Sequence, residues 1–147
     1  MSEVISKERI QLIEELSSKE EAIHLMADMF QKDQTIQDSY RFMKDIYQRE
    51  QEFCTYVGHE TAIPHAISNM VNHAGIAFIR TNKALNYGEP GEDVRLLFML
   101  AIPEDSNTEH LRMLSMLAAR LMHKEFREHL FQAQTVDEVY DLLHDLH

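Results

Sequence analysis

A single α/β domain over residues 1–147, with a mixed β-sheet of about five strands flanked by helices on both faces, is the fold class this sequence predicts. Three observations predict it. Apolar residues recur at helical spacing in the first third of the chain. Two short and nearly continuous apolar runs, bounded by turn residues, occupy the middle, and helical spacing returns after Pro103. A chain of 147 residues buries enough surface to hold such a domain together without a disulfide or a structural metal.

Taken in order, Arg9 to Leu16 alternates in part and is expected to be a strand at the sheet edge. Ser18-Lys19-Glu20-Glu21 has capping-box spacing, and Ala22, Ile23, Met26, Ala27 and Phe30 follow on one face of a helix. A second helix is expected from about Ile36 to Glu50, with Ile36, Tyr40, Met43 and Tyr47 spaced by four, three and four. The apolar runs Gly75–Arg80 and Val94–Ile102 are core strands, the second buried on both faces. Between them Leu85-Asn86-Tyr87 is expected to form a small strand before the turn Gly88-Glu89-Pro90-Gly91. After Pro103 a helix is capped by Asn107 or Thr108 and turns Leu111, Leu114, Leu117, Ala118 and Leu121 inward. A shorter helix follows around Glu125–Gln132. Thr135-Val136-Asp137-Glu138 opens the last, which carries Val136, Val139, Tyr140, Leu143 and Leu146 on its inner face.

Charge and composition exclude several function classes. The formal net charge is -11 and the 14 basic residues form no stripe, which argues against a nucleic-acid partner. The longest apolar run, Leu96–Ile102, is too short to span a bilayer, and the start lacks a leader pattern, so a cytoplasmic protein without membrane insertion is expected. The single cysteine, Cys54, excludes an internal disulfide framework and is expected to be a small buried hydrophobe. No metal is expected despite nine histidines, because their spacing matches no ligand motif; His24, His123, His129, His144 and His147 are expected at the surface.

His65 differs from these by its setting in Ala62-Ile63-Pro64-His65-Ala66. Pro64 fixes its own φ and biases Ile63 toward extended geometry, so Thr61–His65 is expected to leave the sheet in a defined direction. A rigid mount suits a nucleophile, and an imidazole that is neutral near pH 7 can be one. His110 falls in the expected first turn of a helix, where free backbone N–H groups and the dipole attract anions. Arg49, closing the second helix, can neutralise phosphoryl oxygens through its guanidinium fork.

Several motifs occur in order: Ser18-Lys19-Glu20-Glu21-Ala22-Ile23, Arg49-Glu50, Thr55-Tyr56-Val57-Gly58, Ala62-Ile63-Pro64-His65, Leu97–Pro103, and His110-Leu111 followed by Leu114-Ser115. Together, and over nearly the whole chain, they resemble the fructose/mannitol-type enzyme IIA domain (EIIA type 2) of the bacterial phosphoenolpyruvate-dependent sugar phosphotransferase system. The resemblance implies that His65 receives a phosphoryl group from the carrier HPr and passes it to an enzyme IIB, with a membrane IIC component involved indirectly and no cofactor. It implies reaction through Nε2, the other ring nitrogen being held by a backbone carbonyl. It makes His110 the second active-site histidine and Arg49 the arginine beside the phosphohistidine, with Thr55 and Glu60 as neighbours of the phosphoryl site.

The chain departs from the family pattern in two places. Ala66 stands where the family often has glycine, and His59-Glu60-Thr61 where it often has a glycine or an Asn-Gly pair. His59 is expected to be exposed. Two rival readings remain: a nitrogen-type regulatory IIA, phosphorylated on the same histidine and acting by binding its targets, and a small hydrolase using a His65–Glu60 dyad, which lacks a serine or cysteine nucleophile motif.

Overall fold

The computed structural model describes residues 4–105 and 108–145, with the backbone alone for residues 108–110. Its elements are β1 (Ile5–Ile13), α1 (Lys19–Lys32), α2 (Ser39–Glu52), β2 (Tyr56–Gly58), β3 (Thr61–Ala62), β4 (His65–Ser68), β5 (Gly75–Asn86), β6 (Asp93–Pro103), α3 (Thr108–Leu121), α4 (Lys124–Gln132) and α5 (Val136–Leu143). They form a mixed six-stranded sheet of order β1-β5-β6-β3-β2, with β4 also pairing with β6. Strand β1 is the expected edge strand, beginning earlier than the alternation suggested and running parallel to β5. The Leu85–Tyr87 segment is not a separate strand. Leu85 and Asn86 continue β5 past a register shift between Arg80 and Leu85.

The sheet has a hydrophobic core on each face. One unites α1, α2 and residues such as Ile79, Leu97 and Met99; the other unites α3, α4, α5 and β1 with Phe78, Phe98 and Leu100. Strand β6 feeds both by simple alternation, so its apolar run is nearly unbroken. On the second face Phe78 and Phe98 lie opposite each other in the antiparallel ladder, ring centroids 4.7 Å apart.

Helix ends follow the capping logic. Ser18 accepts from the Glu21 N–H while Glu21 Oε1 accepts from Ser17 N–H, and Thr135 and Glu138 repeat the device at α5. Helix α2 starts later than expected because Asp38 is its cap, accepting from Tyr40 N–H. Ile36 instead forms an isolated bridge with Val71. The inner face of α2 is consequently Phe42, Met43 and Ile46, and Tyr40 is 64% exposed. On α3 the expected Leu114, Leu117 and Leu121 pack inward together with Met113, whereas Leu111 and Ala118 are exposed. The expected cap Asn107, and Leu146 and His147, lie outside the described residues.

Thr61–His65 does not leave the sheet. Thr61 pairs with Leu96, Ala62 with Leu97 and His65 with Leu100, so β3 and β4 keep one parallel register along β6 across a short break. Pro64 sits in that break. Its carbonyl still accepts from Leu100 N–H at 3.0 Å, and the ladder loses only what a residue without an N–H cannot supply. Beyond it β2 no longer covers the outer side, so His65 is the first residue of an uncovered edge segment.

Candidate functional site

His65 opens a cleft of about 310 Å³ where four elements meet. Helix α2 contributes Asp45, Gln48, Arg49 and Glu52, β4 contributes His65, Ala66 and Ile67, and β6 and α3 contribute Ile102, Leu111 and Leu114. The α2 residues are spaced by three, one and three, which places them along one polar stripe. The apolar wall is open to solvent: Ile67 is 53% and Leu111 46% exposed. Leu111 and Ile67 thus form an exposed apolar wall beside charged groups, and Leu111 is not part of the core.

The imidazole of His65 is half-buried, its Nδ1–H donating to the Ile63 carbonyl at 2.8 Å. A neutral imidazole with its proton on Nδ1 carries its lone pair on Nε2. The backbone two residues upstream thereby leaves Nε2 as the ring nitrogen that this bond does not engage. Ile63 is itself fixed, its N–H donating to the Thr55 carbonyl at 3.0 Å.

Arg49 lies in the last turn of α2 with its guanidinium 5.4 Å from the centre of the Phe53 ring. Among the described residues no carboxylate pairs with it, leaving its fork available to an anion in the cleft. Asp45 is engaged by Ser68, whose hydroxyl donates to Oδ2 at 2.5 Å. His110 is in the first turn of α3 as expected, but its side chain lies outside the described residues. Leu111, the next residue, lines the cleft and brings that turn to its border.

Thr55 and Glu60 are not among the residues lining the cleft. Thr55 is buried behind it, its hydroxyl donating to Glu50 and lying 2.9 Å from the Tyr87 phenol. Glu60 occupies the β2–β3 turn at φ +58, following His59 at φ +53, and its carbonyl accepts from Arg95 and Leu96 N–H. His59 is exposed, as expected. Two consecutive left-handed residues without glycine are strained, which is the local consequence of His59-Glu60 standing where glycine would be cheaper. Cys54 is exposed, contrary to expectation, because the chain between α2 and β2 runs outside the sheet.

Sequence reasoning missed Asp45, Gln48 and Glu52. Their helical spacing with Arg49 was the signal available. It also missed Glu50, whose neighbour Arg49 drew the attention.

Residues 3–145 match the family described as phosphoenolpyruvate-dependent sugar phosphotransferase system, EIIA 2. The chain belongs to this family. EIIA components of this system are phosphotransferases. The fructose-specific EIIA component of Haloferax volcanii is 31% identical over 97% of this chain and 94% of its own. The nitrogen regulatory protein IIA-Ntr of Neisseria meningitidis superposes with a TM-score of 0.87 at 30% identity, covering 95% of this chain and 96% of that one. Escherichia coli IIA mannitol, solved in complex with phosphorylated enzyme IIB mannitol, superposes with a TM-score of 0.80 at 25% identity over 94% and 95% of the two chains. The chain spans 23% of the length of the fructose-specific EIIABC component of Bacillus subtilis, to which it is 33% identical over 144 residues. Among the described residues no helix is long and apolar enough to cross a membrane.

Proposed function

We propose that this EIIA accepts a phosphoryl group from phospho-HPr on Nε2 of His65 and passes it to an enzyme IIB in the uptake of a fructose/mannitol-class sugar, acting on the cytoplasmic side of the membrane. The observation that carries the reading is the His65 imidazole, its Nδ1 tied to the Ile63 carbonyl in a cleft shared with Arg49. In the first transfer the Nε2 lone pair attacks phosphorus in line while the donor's P–N bond breaks and its electron pair returns to the donor imidazole. In the second, the nucleophile of enzyme IIB attacks and the electron pair of the new P–N bond returns to His65. Arg49 neutralises the phosphoryl oxygens as charge redistributes, and the positive end of the α3 dipole lies toward the cleft border marked by Leu111. His110 is assigned the supporting role on the second transfer. The apolar residues Ile67 and Leu111 supply a shallow surface from which a carrier can dock and leave.

The regulatory reading draws on the likeness to IIA-Ntr, whereas the fructose- and mannitol-specific relatives favour transport. Both require the same phosphohistidine. The test is incubation with phosphoenolpyruvate, enzyme I and HPr, followed by a panel of IIB domains. Wild type is expected to take up one phosphoryl group and discharge it to a sugar-specific IIB, and His65→Ala to take up none. Full labelling of His65→Ala would overturn the assignment.

A further inference from the structure

Behind the cleft lies a second polar group, almost wholly enclosed. Glu50, next to Arg49 on α2, turns the opposite way and is 4% exposed. One of its oxygens accepts from the Thr55 hydroxyl; Lys19 Nζ of α1 lies 2.8 Å from the other. The hydroxyl proton of Thr55 is committed to Glu50, so the 2.9 Å contact with Tyr87 is a phenol O–H donating to Thr55 Oγ1. The Lys19 ammonium lies 4.3 Å from the centre of the Tyr87 ring. One cluster thus joins the start of α1, the end of α2, the residue preceding β2 and the residue following β5.

A buried ion pair is an expensive way to fill this space, since apolar residues of similar volume serve stability as well or better. What such a group does supply is a defined geometry, and here the geometry leads somewhere. The Thr55 carbonyl accepts from Ile63 N–H at 3.0 Å, and the Ile63 carbonyl accepts from His65 Nδ1–H at 2.8 Å. Thr55 is therefore held by its side chain on one side while its main chain holds the peptide that orients the imidazole.

We propose that Glu50, Thr55 and Tyr87, with Lys19 as counter-ion, are positioning residues for His65, fixing through the Thr55 and Ile63 backbone the carbonyl that selects Nε2 as the free ring nitrogen. The same cluster anchors the last turn of α2 and so sets where Arg49 stands relative to that nitrogen. Its effect on phosphoryl transfer rests on the function proposed above; its effect on the imidazole does not.

The experiment compares Thr55→Val, Thr55→Ser and wild type by two readouts: the ¹⁵N and ¹H signals of the His65 ring, and the rate of phosphoryl uptake from phospho-HPr. Wild type and Thr55→Ser are expected to show the Nδ1–H tautomer with a slowly exchanging proton. Thr55→Val, which keeps the shape and loses the hydroxyl, is expected to show mixed tautomers, faster exchange of that proton and uptake slowed by about tenfold or more. Tyr87→Phe provides the same comparison if Thr55→Val does not fold. Ring signals of a folded variant indistinguishable from wild type would overturn the proposal, as would a wild-type His65 protonated on Nε2. Altered ring signals in a protein whose wild type takes up no phosphoryl would uphold the positioning and refute the functional reading, so the two failures are distinct.

Discussion

Arg49 and Glu50 are adjacent in sequence and belong to opposite kinds of environment. Arg49 faces a cleft open to solvent and, among the described residues, has no carboxylate partner; Glu50 faces inward and meets Lys19 and Thr55. In the cleft the Arg49 guanidinium is left without a carboxylate among the described residues, whereas behind it Glu50 is paired with Lys19 and hydrogen-bonded by Thr55. Polar groups satisfied within the protein hold positions, while a charge left beside an exposed apolar wall is suited to something that arrives. The end of one helix thus serves both regions through consecutive side chains.

Substitutions that separate chemistry from stability sharpen the contrast. The largest stability effect is expected away from both regions, in the core beneath α3: Phe98→Ala removes a fully buried ring packed on Phe78 and should cost about 3–5 kcal/mol by denaturant unfolding. The folded fraction should retain its uptake of phosphoryl per molecule. Arg49→Gln should do the reverse, slowing uptake by about a hundredfold through lost charge neutralisation, with a stability change of about 1 kcal/mol or less. Equal losses of rate in both variants would erase the distinction drawn here.

A smaller effect concerns pH. Burial, and then the negative charge of Glu50, push the Tyr87 phenol well above its ordinary range. The folded state therefore holds this proton more tightly than the unfolded one. The stability it confers is full below about pH 10, where an unperturbed phenol ionises, and is lost as pH rises beyond it. Glu50, Lys19, Thr55 and Cys54 are the groups around that hydroxyl or ring. Tyr87→Phe should be less stable at neutral pH by about 1 kcal/mol and show a shallower alkaline decline. An identical decline in both proteins would place the alkaline transition elsewhere.

Much of the fold was legible because its signals are local. The runs that became β5 and β6, and the capping boxes at Ser18 and Thr135, need only neighbouring residues to be read. The inner face of α2 was read only in part: Met43 and the partly buried Tyr47 pack inward, but Tyr40 is exposed, Phe42 and Ile46 complete the face, and the helix starts at the cap Asp38 instead of at Ile36. The continuation of β3 into β4 was hidden for a different reason. Parallel pairing to β6 is a long-range fact, and the proline that suggested departure from the sheet interrupts the ladder by a single donor. His65 and Arg49 stand out in the sequence by their residue types, and the structure places both in one cleft. Glu50 acts through Thr55 and Ile63, and no spacing in the sequence declares that chain of hydrogen bonds.

The central claim is that the backbone behind His65 selects which of its nitrogens reacts. It is tested most directly by phosphorylating the ¹⁵N-histidine-labelled protein with phosphoenolpyruvate, enzyme I and HPr and reading the phosphorus–nitrogen coupling at each ring nitrogen. A single phosphoryl group on Nε2 of His65 is the expected result; phosphorylation on Nδ1, or on another residue, would contradict the account.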